Sequence, residues 1–345
     1  MTKKKVCIVI GNGFTIDFLS YIAKDNSSIW EKIDTSNLFS FGSDLKWPRN
    51  SHPGFLSLKN TPYLWSLGAR PYLDSNKSME IIEQIVTSAN VFSLKGVSEI
   101  SDEQRYLLAY KELVYYLKYL FVHYNNQISE IPDNIFDWEW SKFLLNLNNN
   151  DDINEVSIIT YNYDIWLERV LNKIGISFNL PPMINGQEKT KFKIFKPHGS
   201  ISFKHETDRD ISAFEVNYND LHSDCAADDI QIEYDELWTN NTAVFLIPPA
   251  GDSNRSTNNL NVCVRNLYEE KLKNYGKNDL VIVCGLSYWH VDRTEIDSLL
   301  IGPNNDTNLI NINPCVNQEL ESVMNSLFKN YVHFNSSKTL KDVVL

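Results

Sequence analysis

The residues best suited to chemistry stand in two short polar stretches of the sequence. TYNYD contains Asn162 and Asp164, and KPHGSISF contains His198. A histidine can take a proton from water or a hydroxyl group at neutral pH, and an asparagine amide can orient the molecule that reacts. A structural interpretation stays open for each: Thr160 or Asn162 could cap a helix, Asp164 suits a first helical turn, and His198 could be a hydrogen-bonded structural histidine.

A glycine turn near the N-terminus is a candidate site for a phosphate group. In KKKVCIVIGNGFTIDF an apolar run leads into Gly11, Asn12 and Gly13, and an amphipathic pattern follows. A strand, a glycine turn and a helix in this order are typical of nucleotide binding, because backbone N–H groups and the helix N-terminus face the anion. Position 16 is isoleucine where the dehydrogenase fingerprint has its third glycine, which disfavours hydride transfer.

Two further turns carry polar residues directly after an apolar run. VCGLSYWHVD places Gly285 and Ser287 after such a run, and Asn313 with Pro314 ends the run NLININ. Open α/β sheets bind ligands at the carboxyl ends of their strands. We therefore expect these turns, the glycine turn and both polar stretches to lie at one edge of a sheet.

Six apolar runs, each followed by a turn, predict the strands that position these residues. The runs are 6–10, 156–160, 192–196, 243–247, 279–285 and 308–313. Apolar runs that alternate with helical patterns are typical of parallel strands joined by crossover helices. The predicted fold class is α/β, with a Rossmann-like doubly wound parallel sheet of about six strands.

The stretch from 20 to 150 has a different pattern and contains no comparable β-branched run. Within YLLAYKELVYYLKYLFVHY, residues recur with the period of a helix face. They are Tyr106, Tyr110, Leu113, Leu117 and Leu120. We interpret this face as the core of a helical insertion after the first strand, rather than as the wall of a cofactor site. The predicted division is a Rossmann-like core, residues 1–20 and 150–345, and a helical insertion domain, residues 21–149.

Composition and charge exclude several classes of protein. Of the 345 residues, 43% are hydrophobic and 22% are charged, values typical of globular proteins. The formal charge of −12 argues against a surface that coats nucleic acid or an anionic membrane. The five cysteines form no C-x-x-C pair, so neither a zinc site nor a disulfide framework is predicted. Without a signal-peptide or membrane-span pattern, a cytoplasmic location is expected.

Together these motifs resemble those of the sirtuin-like NAD-binding fold, and specifically the bacterial sirtuin-like NAD hydrolases of anti-phage defence. The resemblance covers residues 1–20 and about 150–320, and it rests on the order and spacing of the motifs. The matching positions are Gly11, Asn12, Gly13 and Phe14 in the first loop, Thr160, Asn162 and Asp164 in a T-x-N-x-D motif, His198 with Gly199, Gly285 and Ser287 in a G-x-S loop, and Asn313.

The resemblance implies an NAD hydrolase that needs no metal. Asn162 would orient the ribose or the attacking water, His198 would act as general base, and Asp164 would contact the nicotinamide side or stabilise positive charge on the sugar. Asp17 is a further candidate for the pocket, although a first helical turn suits a dipole role equally. The positions implied to surround the rest of NAD are Gly11, Gly13 and Phe14 at the phosphates and nicotinamide ribose, and Gly285, Ser287 and Asn313 at the adenosine half.

The sequence departs from the sirtuins that remove acyl groups from proteins. It lacks their zinc module with two cysteine pairs, their Phe-Gly-Glu segment for the acyl-lysine peptide, and their Pro-Asp-Phe-Arg run after the glycine loop. A sequence that has the motifs for NAD but lacks those for an acyl-lysine peptide favours hydrolysis of NAD. The main alternative is a module that binds NAD or a nucleotide signal and controls assembly of a larger complex, and an NAD-dependent protein deacylase is less favoured.

The resemblance also implies how such a protein is controlled. Members of this group are commonly activated by self-assembly or by a partner, so we expect a homo-oligomer or a partner such as a DNA-translocating ATPase. The sequence contains no G-x-x-x-x-G-K-[ST] loop of its own. Because the chain is acidic, we expect protein contacts rather than direct binding of nucleic acid. The expected role is the NAD-depleting effector of a bacterial anti-phage system.

Overall fold

The computed structural model describes residues 3–49, 52–95, 99–183, 190–205, 214–219, 221, 226–238, 244–249, 259–288, 293–315 and 317–344. The strands of its largest sheet are β1 (Lys4–Ile10), β2 (Ile153–Thr160), β3 (Phe178–Asn179), β4 (Phe192–Phe195), β7 (Leu280–Cys284), β8 (Asn308–Ile312) and β9 (Asn330–Phe334). Strands β5 (Phe203–His205) and β6 (Ile230–Ile232) form a separate antiparallel pair. The seven-stranded sheet has the order β3-β4-β2-β1-β7-β8-β9, and every neighbouring pair is parallel. The predicted α/β class with a Rossmann-like parallel sheet is confirmed.

The order of the strands reverses beside β1. The chain continues from β1 to β2 on one side and later reaches β7 on the other side, and β1 pairs with both. Its apolar run Val6–Ile10 is buried throughout, as expected for a central strand of a parallel sheet. At such a reversal a crevice opens outside the carboxyl ends of the strands, and ligands of open α/β sheets bind there.

Five of the six predicted runs belong to strands of this sheet, but the run 243–247 does not. Its described residues, 244–247, form no strand, and Leu246 makes only an isolated antiparallel bridge with Gly199. These residues are nevertheless buried, and the apolar pattern of a buried loop segment is the same as that of a buried strand. Strands β3 and β9 were not predicted. In β9 the side chains are half-buried or exposed, so no continuous apolar run marks this edge strand.

Helices join and flank the strands. They are α1 (Asn12–Ile22), α2 (Pro62–Ser66), α3 (Ser75–Ser93), α4 (Arg105–Asn126), α5 (Glu139–Asn149), α6 (Trp166–Lys173), α7 (Asn259–Leu272), α8 (Arg293–Ile301) and α9 (Gln318–Leu327). The stretch before β2 is helical, as its pattern predicts, and its buried side chains form one cluster with those of the sheet. The division into two domains stays a prediction. In the described ranges, no helix has the length and apolar character that crossing a membrane requires.

Helix α4 is buried on all sides rather than along one face. Every residue from Leu107 to Val122 is buried, whereas Tyr106, a member of the predicted face, is 41% exposed. The helix packs against α2 and α3. Its buried Lys118 donates a hydrogen bond to the carbonyl of Ile201, which lies beyond β4. Because α4 lies inside the molecule, the spacing of its apolar residues does not separate a buried face from a solvent-exposed face.

Candidate functional site

A cavity of about 1070 Å³ opens at the carboxyl ends of β1, β2, β7 and β8. Its volume is slightly above the range of about 300–1,000 Å³ that is typical of small-molecule sites. The predicted site residues that line it are Gly11, Asn12, Gly13, Asp17, Asn162, Asp164, His198, Gly285, Ser287 and Asn313. Polar residues that are far apart in the sequence therefore meet in one place, at the point where the strand order reverses.

The helical stretch before β2 also contributes to the cavity. Its lining residues are Thr35, Ser36, Leu38, Met79 and Phe121. The face of α4 predicted from periodicity does not line the cavity, in agreement with its interpretation as core, but the same helix contributes Phe121. The sequence carries no signal for these contacts, because they depend on how the helices pack onto the sheet.

Asn162 follows β2, and its side chain is held on two sides. Its Nδ2 atom donates to the Gly11 carbonyl at 3.0 Å and to Thr15 Oγ1 at 3.0 Å. The backbone N–H of Asn162 donates to Thr160 Oγ1 at 3.2 Å. Thr160 is buried and does not line the cavity, so it shapes the turn from behind. The carboxamide of Asn162 thus connects the turn after β2 with the turn after β1.

His198 lies beyond β4 and is paired with a carboxylate. Its Nε2 atom is 2.9 Å from Glu295 Oε2, and both side chains are buried. The ring of Tyr161 packs edge-on against the imidazole, with ring centroids 4.9 Å apart. A carboxylate in this position orients the imidazole and stabilises the imidazolium that forms when the histidine takes a proton. The arrangement is therefore suited to acid–base chemistry in the cavity.

Glu295 is the member of this pair that sequence reasoning missed. It lies in the first turn of α8, where acidic side chains are common because the helix dipole favours them. Its side chain lines the cavity and is 2% exposed, although glutamate is rarely buried unless it is paired. The one available signal was the position of Glu295 soon after the G-x-S turn. That position does not show whether the carboxylate interacts only with the helix dipole or also pairs with a histidine.

Asp164 belongs to the cavity wall but is almost fully buried. Its Oδ2 accepts from Thr15 Oγ1 at 2.8 Å, and its Oδ1 accepts from the N–H of Trp166 at 3.1 Å, a capping contact at the start of α6. Burial raises the pKa of Asp164 to about 6, although the charge of Lys196 acts in the opposite direction. Lys196 Nζ also donates to the Asp164 carbonyl at 2.6 Å and to Glu168 Oε1 at 2.7 Å. These bonds tie the turn after β2 to β4 and α6.

The glycines of the first turn bring the ends of β1 and β7 into contact. The N–H of Gly11 donates to the Cys284 carbonyl at 3.0 Å, and that of Gly13 donates to the Gly285 carbonyl at 3.1 Å. A Cβ atom at Gly13 would collide with Gly285 Cα, and one at Gly11 would lie 2.8 Å from the Gly285 oxygen. The N–H groups of Gly11 and Gly13 therefore bind backbone carbonyls, where the sequence predicts that they bind an anion. The absence of a Cβ atom at these glycines allows the ends of β1 and β7 to approach closely beneath the cavity.

We expect the substitution Gly13→Ala to destabilise the protein by about 1–3 kcal/mol, because the added methyl group collides with backbone atoms. The higher helix propensity of alanine, worth about 1 kcal/mol, acts in the opposite direction. Urea unfolding of the two proteins measures the difference. Gly276→Ala is the matched control, since no atom lies within 4 Å of an added Cβ there. Equal stability of Gly13→Ala and the unchanged protein would contradict the close contact of the two turns.

Asp17 lies in the cavity wall beside two tryptophans. Burial raises its pKa, while the hydroxyl of Ser337 and the indole N–H groups of Trp140 and Trp138 lower it. Its Oδ2 atom is buried, and neither this oxygen nor the indole nitrogens of Trp138 and Trp140 make a hydrogen bond of full geometry within the described ranges. Asp17 lies beyond the first turn of α1, so the alternative dipole role does not apply to it. Its carboxyl group belongs to the lining of the cavity.

The remaining predicted residues differ in their placement. Phe14 does not line the cavity; it is 3% exposed and packs against Trp138, with ring centroids 5.3 Å apart. Phe14 is therefore a core residue, contrary to the expectation that it borders the ligand. Ser287 is exposed at the cavity. Asn313 Nδ2 donates to the Leu286 carbonyl at 3.2 Å, so this side chain joins the turns after β7 and β8.

Comparison with known families finds no family model that matches this chain, and comparison with curated proteins finds no match either. Assignment of a function therefore rests on the fold and on the residues that line the cavity.

Proposed function

We propose that the protein is a sirtuin-like NAD glycohydrolase, which cleaves NAD to nicotinamide and ADP-ribose. The observation that carries the proposal is the convergence of Asn162 and His198 on one cavity beside the glycine turn. These two residues belong to separate motifs that follow different strands, and a structural role for either one does not require both to face the same cavity. The position of the cavity, where the strand order reverses, is the usual nucleotide site of such sheets.

The chemistry needs few groups from the protein. Nicotinamide leaves the ribose as a neutral molecule, because the electrons of the broken C–N bond neutralise its positive ring nitrogen. The oxygen of a water molecule forms the new bond to the ribose carbon, and His198 takes the proton that this water loses. Glu295 holds the imidazole and offsets its positive charge. Asn162 orients the water or a ribose hydroxyl through its carboxamide.

A module that binds NAD or a related nucleotide without cleaving it is the alternative. The buried pair of His198 and Glu295 favours hydrolysis, because recognition of a nucleotide does not need an acid–base pair in the cavity wall. Tight binding of NAD without release of nicotinamide would favour the binding module. A protein deacylase stays the less favoured candidate, since its peptide-binding segment is missing from the sequence.

The biological role follows from the family resemblance. An NAD glycohydrolase of this type depletes cellular NAD during phage infection and thereby limits phage growth. Its activity is held back until self-assembly, or a partner such as a DNA-translocating ATPase, switches it on. On this basis we propose the protein as the NAD-depleting effector of an anti-phage system in the bacterial cytoplasm.

Asn162→Ala is expected to lower nicotinamide release from NAD by about 100-fold, because loss of the orienting amide misplaces the reacting groups. Release is measured by chromatography over a series of protein concentrations, since activation by self-assembly makes the rate rise more steeply than in proportion to concentration. Asn325→Ala, at an exposed asparagine of α9, is the matched control and should retain full activity. Full activity of Asn162→Ala would remove the proposed assignment.

A further inference from the structure

We propose that Thr15 is a positioning residue that fixes the carboxamide of Asn162 with its oxygen, Oδ1, towards the cavity. Thr15 lies in α1 soon after the glycine turn, is not one of the candidate site residues identified in the sequence, and is 1% exposed. The inference rests on the proposed function, because it assigns a catalytic orientation to Asn162. It concerns a side chain that does not line the cavity and acts through its neighbour.

A chain of two hydrogen bonds connects three side chains. Asn162 Nδ2 lies 3.0 Å from Thr15 Oγ1, and Thr15 Oγ1 lies 2.8 Å from Asp164 Oδ2. The same Nδ2 atom lies 3.0 Å from the carbonyl oxygen of Gly11. These hydrogen bonds run from the turn after β2 to α1 and back to the same turn. They therefore connect two elements that meet at the cavity.

The directions of these bonds follow from counting protons. The Thr15 hydroxyl has one proton, and it donates that proton to the carboxylate of Asp164. The Thr15 oxygen must then accept a hydrogen bond from Asn162. The Gly11 carbonyl can only accept as well. Both neighbours therefore require the NH₂ group of Asn162, and a flipped carboxamide would place its oxygen against two other oxygens.

The orientation decides what Asn162 offers to a ligand. With both N–H groups of the carboxamide used inside the protein, Oδ1 is the atom turned towards the cavity. An amide oxygen accepts hydrogen bonds, so it suits a ribose hydroxyl or the attacking water as donor. Asp164 then acts from behind, through Thr15, and both of its carboxylate oxygens are already engaged by Thr15 and the N–H of Trp166. This gives Asp164 a positioning role through Thr15, beside the contact with the nicotinamide side that the family resemblance implies.

Thr15→Val and Thr15→Ser separate the hydroxyl group from the shape of the side chain. Valine keeps the shape and removes the hydroxyl, so we expect kcat for nicotinamide release to fall about 10- to 100-fold with KM changed less than about threefold. Serine keeps the hydroxyl, so its kcat and KM should stay within about threefold of the unchanged protein. Thermal unfolding of each variant verifies that it is folded at the assay temperature.

A second measurement reports the orientation without any need for activity. In protein labelled with ¹⁵N at asparagine, the side-chain NH₂ signal of Asn162 is identified by its loss in Asn162→Asp. Its protons should exchange slowly with solvent in the unchanged protein and in Thr15→Ser, and faster in Thr15→Val, where one of their two acceptors is missing.

The outcomes separate this inference from the proposed function. Unchanged kcat in Thr15→Val, equal losses in the valine and serine variants, or equal exchange of the Asn162 NH₂ protons in all three proteins would each overturn it. If the unchanged protein binds NAD but releases no nicotinamide, the proposed hydrolase fails. The exchange rates then decide the orientation of Asn162 independently.

Discussion

His198→Ala is expected to lower the rate of nicotinamide release by about 10²- to 10⁴-fold, the usual contribution of a general acid or base. The imidazole lines the cavity, and its Nε2 is 2.9 Å from the carboxylate of Glu295. Alanine removes the proposed general base and leaves the cavity open. Binding of NAD, measured by calorimetry, should therefore change far less than kcat.

Two further variants test the role of the His198 pair. Glu295→Gln retains a hydrogen-bonding group but removes the negative charge, so the imidazolium is less stabilised and a loss of about 100-fold or more is expected. His52→Ala, at an exposed histidine away from the cavity lining, is the matched control and should behave as the unchanged protein. Activity of His198→Ala at the unchanged level would exclude His198 as the base. Full activity of Glu295→Gln would show that the charge of Glu295 is dispensable.

The second large effect is expected on stability, at the buried ion pair beneath the cavity. Lys196→Met should lower the free energy of unfolding by about 3–5 kcal/mol, because it leaves the Glu168 carboxylate buried without its cation. The Lys196 and Glu168 side chains are only 1% and 0% exposed, with 2.7 Å between Nζ and Oε1. The change also removes the hydrogen bond from Lys196 to the Asp164 carbonyl, which holds the turn of the site. Urea unfolding measures the difference.

An exposed ion pair of the same chemistry provides the control. Lys329 and Asp306 lie 2.6 Å apart, but their side chains are 69% and 47% exposed, so Lys329→Met should change stability by less than about 1 kcal/mol. The double substitution Lys196→Met with Glu168→Leu should recover most of the loss, since no unpaired charge stays buried. Equal effects of Lys196→Met and Lys329→Met would contradict the importance of burial for this pair.

The sheet and the location of the site could largely be predicted from the sequence. Continuous apolar runs mark the central strands, because a strand covered on both faces needs apolar side chains at successive positions. β1, β2, β7 and β8 all satisfy this condition. Residues directly after such runs lie together, because the carboxyl ends of parallel strands share one edge of the sheet. Asn162, His198 and Gly285, which this reasoning places after strands, all line one cavity.

The same patterns gave wrong predictions in two situations: where a buried segment is not a strand, and where a strand is not buried. The run 243–247 is apolar, yet its described residues are in a buried loop. The edge strand β9 has half-exposed side chains and shows no apolar run. Phe14 follows the glycine turn as the resemblance implies, but its ring packs against Trp138 in the core. Each failure comes from a neighbour in space that the local sequence does not contain.

The sequence by itself determined the class of fold, the central strands and the edge at which polar residues meet, because these depend on periods of a few residues. Tertiary structure alone decided the partners within the site. His198 and Glu295 are 97 positions apart, and Asn162 and Thr15 are 147 positions apart. A hydrogen bond depends on distance and direction in space, to within fractions of an ångström. Only the packing of α1 and α8 against the ends of the strands brings these atoms into reach.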